Sequence, residues 1–145
     1  MKMKFDRWKR LELTKISDIR GNLSIAEGGE NVPFEIARLY YIYDVPSGSS
    51  RAGHAHKELR QLFLALSGSF NLHLDDGSST ETILLNRPHT GILVEPGVWR
   101  VIDNFSGGAV CLVLASRHYD ETDYIRNHSD FMAYVREQRT ATPRA

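Results

Sequence analysis

A chain of 145 residues fits one domain with a single core. Its 18 basic and 18 acidic residues cancel, which argues against a partner such as nucleic acid and requires any phosphate site to be local. One cysteine, Cys111, rules out a disulfide framework, and neither an apolar leader nor an apolar run long enough to span a bilayer is visible, so a cytoplasmic setting is expected.

In chain order, Trp8–Ile16 reads as an edge strand. Asp18-Ile-Arg20-Gly21-Asn22 is turn chemistry, and a short strand Leu23–Glu27 follows it before a Gly-Gly turn. Phe34–Val45 is rich in β-branched and aromatic residues and ends at the loop Pro46-Ser-Gly-Ser-Ser. His54–His56 and Gln61–Leu66 come next. Phe70–Asp75 alternates apolar and polar residues, as a half-buried strand does, and stops at the hairpin signal Asp76-Gly77-Ser78.

Glu81–Leu85, Gly91–Val94, Val98–Ile102 and Ala109–Ser116 follow as short strands, Cys111 being a buried hydrophobe in the last. Only the end reads as helical, with Tyr124, Ile125, Phe131, Met132, Tyr134 and Val135 near helical spacing. Asp120-Glu-Thr-Asp123 reads as the capped start of that helix. The polar segment 140–145 contains proline and is expected to be a disordered tail. The expected architecture is therefore a single all-β domain over 1–139, a sandwich or barrel closed by a short C-terminal helix.

The chemistry concentrates in Arg51-Ala-Gly-His54-Ala-His56. Two histidines at i and i+2 on an extended chain point to one side, as half of a metal site or as a pair of proton-handling groups. Gly48, His54, His56 and Gly68 resemble the first motif of the cupins, and Gly97-Val-Trp-Arg100-Val-Ile-Asp-Asn104 resembles the second. This resemblance implies a double-stranded jelly roll. Two departures stand out: Arg60 and Gln61 occupy the places where the motif carries a glutamate, and Arg100 stands where it carries a metal-binding histidine. A permanent guanidinium repels a divalent ion, so acid–base work suits the histidines better than ligation.

A narrower likeness covers about residues 12 to 136. Asp18-Ile-Arg20-Gly21, Arg38-Leu-Tyr40-Tyr41-Ile-Tyr43, His54-Ala-His56-Lys57, Leu74-Asp-Asp-Gly77, Pro96-Gly-Val-Trp99 and Tyr119-Asp-Glu-Thr-Asp-Tyr-Ile-Arg126 are similar to the nucleotide-sugar 3,4-ketoisomerases. The resemblance implies an enzyme that moves the ketone of dTDP-4-keto-6-deoxy-D-glucose from carbon 4 to carbon 3. It also implies no metal or other cofactor, a role in deoxyamino-sugar synthesis, and a homodimer with exchanged strands. It assigns His54 as catalytic base, His56 as second proton carrier or orienting group, Tyr40 as hydroxyl donor and Arg20 as electrostatic partner.

Arg38 shares the face of Tyr40, two residues along, and Tyr41 must face the opposite way. Arg51 and Arg100 are candidate diphosphate contacts, because guanidinium binds phosphate oxygens bidentately. Trp99 is a candidate to stack on the base, though it would also serve as core packing. His73 and His118 stand alone and read as surface or satisfied residues, and His89 follows a proline in a turn. Two other functions are alternatives: a metal-free 3,5-epimerase of the same sugar class, whose usual pairing of a histidine with a distant Asp is not found here, and a sugar-binding cupin without turnover.

Overall fold

The computed structural model describes residues 7–141, and two five-stranded antiparallel sheets face each other across one core. The first sheet runs in the order β1(Trp8–Glu12), β9(Thr90–Val94), β6(Gln61–Ser67), β11(Val110–Ala115), β4(Arg38–Ile42). The second runs β12(Tyr124–Ile125), β5(Arg51–His56), β10(Trp99–Asp103), β7(Phe70–Asp75), β8(Thr80–Leu85). A separate hairpin pairs β2(Thr14–Asp18) with β3(Gly21–Ile25), and α1(His128–Ala141) closes the chain. This is the jelly roll that the cupin resemblance implies, with the C-terminal helix that the sequence pattern predicts.

Register decides which side chains meet inside. Across the first sheet Tyr40, Val113, Phe63 and Ile92 form one inward row, and Arg38, Ala115, Gln61 and Val94 form the next. Phe70, Leu72 and Leu74 of β7 face them from the second sheet, and these residues share one buried cluster with Cys111. Burying each large apolar side chain stabilises the fold by about 1.5–3 kcal/mol. Burial also pushes the Cys111 thiol up to about 12, so it is packing rather than a nucleophile.

The outward row Leu62, Leu64, Leu93 and Leu114 is covered by Leu13, Val32 and Phe34. Arg60 pins that covering segment, donating to both Glu95 carboxylate oxygens and to the Pro33 carbonyl.

Four expectations change. Trp8–Ile16 is two strands, because Leu13 turns inward to join the second cluster and donates its N–H to the His89 carbonyl at 2.7 Å. The strand expected over Phe34–Val45 shrinks to β4, since Phe34 belongs to the covering segment. Asp120 caps a short 3₁₀ turn, Glu121–Asp123, and Tyr124 and Ile125 pair with His56 and Ala55 as a strand. Asn127 is the residue that caps α1, its side-chain oxygen accepting from the Ser129 and Asp130 amides. Finally, α1 runs through Ala141, so Thr140 and Ala141 are helical; the rest of the expected tail lies outside the described residues.

The helix packs through Phe131 and Val135 onto Ala55 and Ile125, with Trp99 against Phe131. Gly77, at φ +91°, makes the β7–β8 hairpin turn close to it: an added Cβ there would sit 2.9 Å from the Val135 side chain.

Candidate active site

One end of the barrel is left unfilled. A cavity of about 730 Å³, within the ordinary range for small-molecule sites, is lined by Arg38, Tyr40, His54, Arg100, Tyr124 and Arg126, with Arg51 and Ser50 also contributing to its lining.

Strand β5 supplies the histidines, and a bulge sets their register. Arg100 lies opposite His54 while Val101 lies opposite Ala52, so Gly53 is the extra residue. Ala52 and Gly53 both have positive φ, at 73° and 76°. Beyond the bulge, strand alternation turns His54 and His56 inward and Ala55 outward beneath α1. The same alternation on β10 turns Arg100 inward and Trp99 outward.

The two imidazoles meet edge to face at 4.8 Å between centroids. Tyr124 packs on both, at 4.9 Å from His54 and 4.3 Å from His56. Burial, reinforced by the charges of Arg100 and Arg126, lowers His54 to about 3. Burial, with Arg100 and the neighbouring His54, lowers His56 to about 2. Both rings are therefore neutral at physiological pH. The Nδ1 of His56 meets the Asp123 carboxylate at 3.0 Å, and His54 has a backbone hydrogen bond with Ala52. The Nε2 atoms of both rings are buried with no hydrogen-bond partner among the described residues.

Arg100 is fully buried, donates to the Val98 carbonyl at 2.9 Å and to Gln61 Oε1, and lies over the Phe63 ring. Burial lowers it only to about 10, so it remains a cation. Gln61 in turn donates to the Tyr40 hydroxyl at 3.0 Å. Burial raises the Tyr40 phenol, with Arg100 and Gln61 opposing, so Tyr40 stays protonated and able to donate. Arg38 stacks on Tyr40 at 5.4 Å, and its buried Nε has no hydrogen-bond partner among the described residues.

This donor set does not fit a divalent ion. Among the described residues no three His, Cys, Asp or Glu side chains converge as a metal site. Arg100 and Gln61 hold the places a third imidazole and a carboxylate would need.

Tyr40, His54, Arg38, Arg51 and Arg100 thus come together at the cavity, and His56 lies buried behind its lining, in ring contact with His54 and Tyr124. Two of the expected residues do not. Trp99 lies against His128 and Phe131 on the outer face, fastening the helix, because its neighbour Arg100 takes the inward position. Arg20 sits at the tip of the β2–β3 hairpin, its side chain 86% exposed and paired to Asp18 at 2.7 Å. Arg100 is at the cavity floor beside the histidines, which suits a reacting oxygen better than a diphosphate. His89 lines no part of the cavity and lies 3.8 Å from Glu12, and His73 is satisfied by Thr82 and Asp103.

Sequence reasoning passed over Gln61, Asp123, Tyr124 and Arg126 as site residues. The last is held by Glu121 through bonds of 2.6 and 2.8 Å. The signal for this segment was the alternation of Tyr124, Ile125 and Arg126, which has the period of a strand rather than of a helix.

The fold and site define a jelly roll with an arginine-lined cavity, one histidine in its lining and a second buried beside it. Residues 6–136 match the family described as FdtA: WxcM-like, C-terminal, and the chain belongs to it. It is 44% identical over 127 residues to the TDP-4-oxo-6-deoxy-alpha-D-glucose-3,4-oxoisomerase of Aneurinibacillus thermoaerophilus, covering 88% of this chain and 91% of that one.

Among solved structures it resembles a 3,4-ketoisomerase from Helicobacter canadensis, at 43% identity and TM-score 0.86 over 89% of this chain and 97% of that one. It also resembles the ketoisomerase of Thermoanaerobacterium thermosaccharolyticum, in a histidine-to-asparagine mutant complexed with TDP-4-keto-6-deoxyglucose. That match has 36% identity and TM-score 0.90 over 93% and 98% of the two chains.

Proposed function

We propose that this chain is a nucleotide-sugar 3,4-ketoisomerase acting on dTDP-4-keto-6-deoxy-D-glucose and yielding a dTDP-3-keto-6-deoxyhexose. The observation that carries the reading is the pair of neutral imidazoles with free Nε2 atoms beside a buried cation and a protonated tyrosine. A 4-ketone acidifies the proton on carbon 3. His54 takes that proton at Nε2, and the electron pair moves onto oxygen 4, where Arg100 and Tyr40 stabilise the enediolate. His56 is the second carrier. The carbon proton is returned at carbon 4 while the hydroxyl proton passes from oxygen 3 to oxygen 4, so no proton is gained or lost. A diphosphate brought to Arg38, Arg51 and Arg126 offsets the positive potential that adds to burial in keeping both rings neutral, easing protonation of the base once substrate is bound.

The active form is a homodimer with exchanged strands. The β2–β3 hairpin pairs with neither main sheet, and it exposes Ile16 and Leu23 by 53% and 55%. Strand β4 ends its sheet with Leu39 and Tyr41 exposed by 52% and 58%. A partner's hairpin laid along β4 covers both sets of apolar groups and carries an Arg20 towards the cavity mouth, which Tyr41 and Tyr43 line.

Proton NMR of chelator-treated protein with dTDP-4-keto-6-deoxy-D-glucose in deuterium oxide tests the activity. A 3-keto sugar is expected, its ring couplings giving the configuration at carbon 4. Inversion at carbon 5 would instead indicate an epimerase, and an unaltered sugar would overturn the reading.

A further inference from the structure

The two imidazoles are both buried but differently supported. His54 has a backbone hydrogen bond with Ala52, whereas Nδ1 of His56 meets Oδ2 of Asp123 at 3.0 Å. Asp123 is itself enclosed: its side chain is 9% exposed and that of His56 is 1%. The carboxylate cannot drift, because Oδ1 accepts the Glu58 amide at 2.8 Å while the Asp123 carbonyl accepts the Lys57 amide at 3.0 Å. Both side-chain oxygens are thus committed, one to the turn after β5 and one to the ring.

We propose that Asp123 is a positioning residue for proton transfer: it holds His56 in the Nδ1–H tautomer, so that Nε2 carries the ring's lone pair. The proposal rests on the ketoisomerase reading and extends it. A carboxylate has only acceptor sites, so the ring nitrogen facing it must carry the proton. Nε2 is then left without hydrogen, and it is the buried atom for which no partner exists among the described residues. When Nε2 takes a proton, the imidazolium is charged on both nitrogens and lies against the Asp123 carboxylate. That contact offsets the burial and the charges of Arg100, Arg38 and Arg126, which otherwise hold the ring neutral. Returning the proton restores the starting tautomer. Tyr124, meeting the ring edge to face at 4.3 Å, limits its rotation.

Asp123→Asn separates orientation from architecture. The amide oxygen still accepts from Glu58, but the amide nitrogen now donates to His56 Nδ1, which must become the lone-pair atom and shift the proton to Nε2. Substitutions that reverse a tautomer in this way cost about 10⁴ in turnover where the imidazole is the base.

Two readouts are taken together: long-range ¹H–¹⁵N correlation spectra of His56 in the free protein, and kcat and KM with the 4-keto sugar nucleotide. The wild type is expected to show the Nδ1–H form, and Asp123→Asn the Nε2–H form. Turnover is expected to fall at least 10²-fold with KM changed less than threefold and the melting temperature nearly unchanged. An Nε2–H tautomer in the wild type overturns the proposal without any variant, as does an Asp123→Asn protein of undiminished kcat. The wild-type spectrum needs no substrate, so a wrong tautomer and a wrong substrate are told apart.

Discussion

Arg100 donates to the side chain of Gln61 across the floor of the barrel, joining the strands β10 and β6 of opposite sheets. Arg100 stands at one departure from the metal-binding cupin motifs, and Gln61, with its neighbour Arg60 turned to Glu95, stands at the other. Together they fill the space of a missing ligand pair with a cation and its acceptor, and Gln61 passes the network on to Tyr40. The departures are thus one structural unit.

Reversing both departures should therefore create a metal site. Gln61→Glu/Arg100→His places a carboxylate and an imidazole beside His54 and His56. Isothermal titration with zinc is expected to show one site in the double variant and none of comparable affinity in the wild type. Equal binding by the two proteins would contradict this account of the floor.

Acid should destabilise the fold through the histidine pair. His54 and His56 are held near about 3 and 2, against roughly 6.5 in an unfolded chain. Between those values the unfolded chain binds more protons, so the stabilisation from neutral burial is complete above about pH 6.5 and is lost as pH falls towards 3. The slope is at most about 1.4 kcal/mol per pH unit for each ring. Urea unfolding between pH 7 and 5, above the range of the carboxylates, should show a smaller slope for His56→Asn than for the wild type. Identical slopes would mean that His56 is not buried neutral.

Trp99 should matter for stability and not for the ligand. Phe131→Ala removes the helix anchor and is expected to cost about 3–5 kcal/mol by denaturant unfolding. Trp99→Ala should also destabilise while leaving TDP affinity within about threefold. A loss of TDP affinity above tenfold in Trp99→Ala, with the fold intact, would restore the base-stacking role that its outward position denies.

The exposed hairpin gives a test of assembly. Ile16→Lys/Leu23→Lys should halve the mass measured by light scattering and lower turnover, since Arg20 would no longer reach a neighbouring cavity. A wild-type protein that scatters as a monomer would contradict the exchanged-strand dimer.

Most strands were legible along the chain because their signals are local: Phe70–Asp75 alternates cleanly and Asp76-Gly77-Ser78 turns it. The His54–His56 face was legible for the same reason, two residues being one pleat. What alternation could not supply was the partner across the barrel. Gln61 sits in an apolar run and reads as a lost ligand until Arg100 is seen against it. Asp123 reads as a helix cap because the carboxylate's partner, His56, lies 67 residues away in the chain. Trp99 was ambiguous between stacking and packing, and the register of β10 resolves it: with Arg100 inward, its neighbour must face the helix. Arg20 is a different case, since a hairpin that leaves its own sheets cannot be placed by pattern alone.

The central claim is that His54 and His56 perform the proton transfers in this cavity. The most direct measurement is the rate at which wild type, His54→Asn and His56→Asn shift the ketone of dTDP-4-keto-6-deoxy-D-glucose, with TDP affinity measured on the same samples. Each variant is expected to slow the shift by about 10²–10⁴-fold while binding TDP nearly as well as the wild type. Turnover that persists undiminished in both variants would contradict the account.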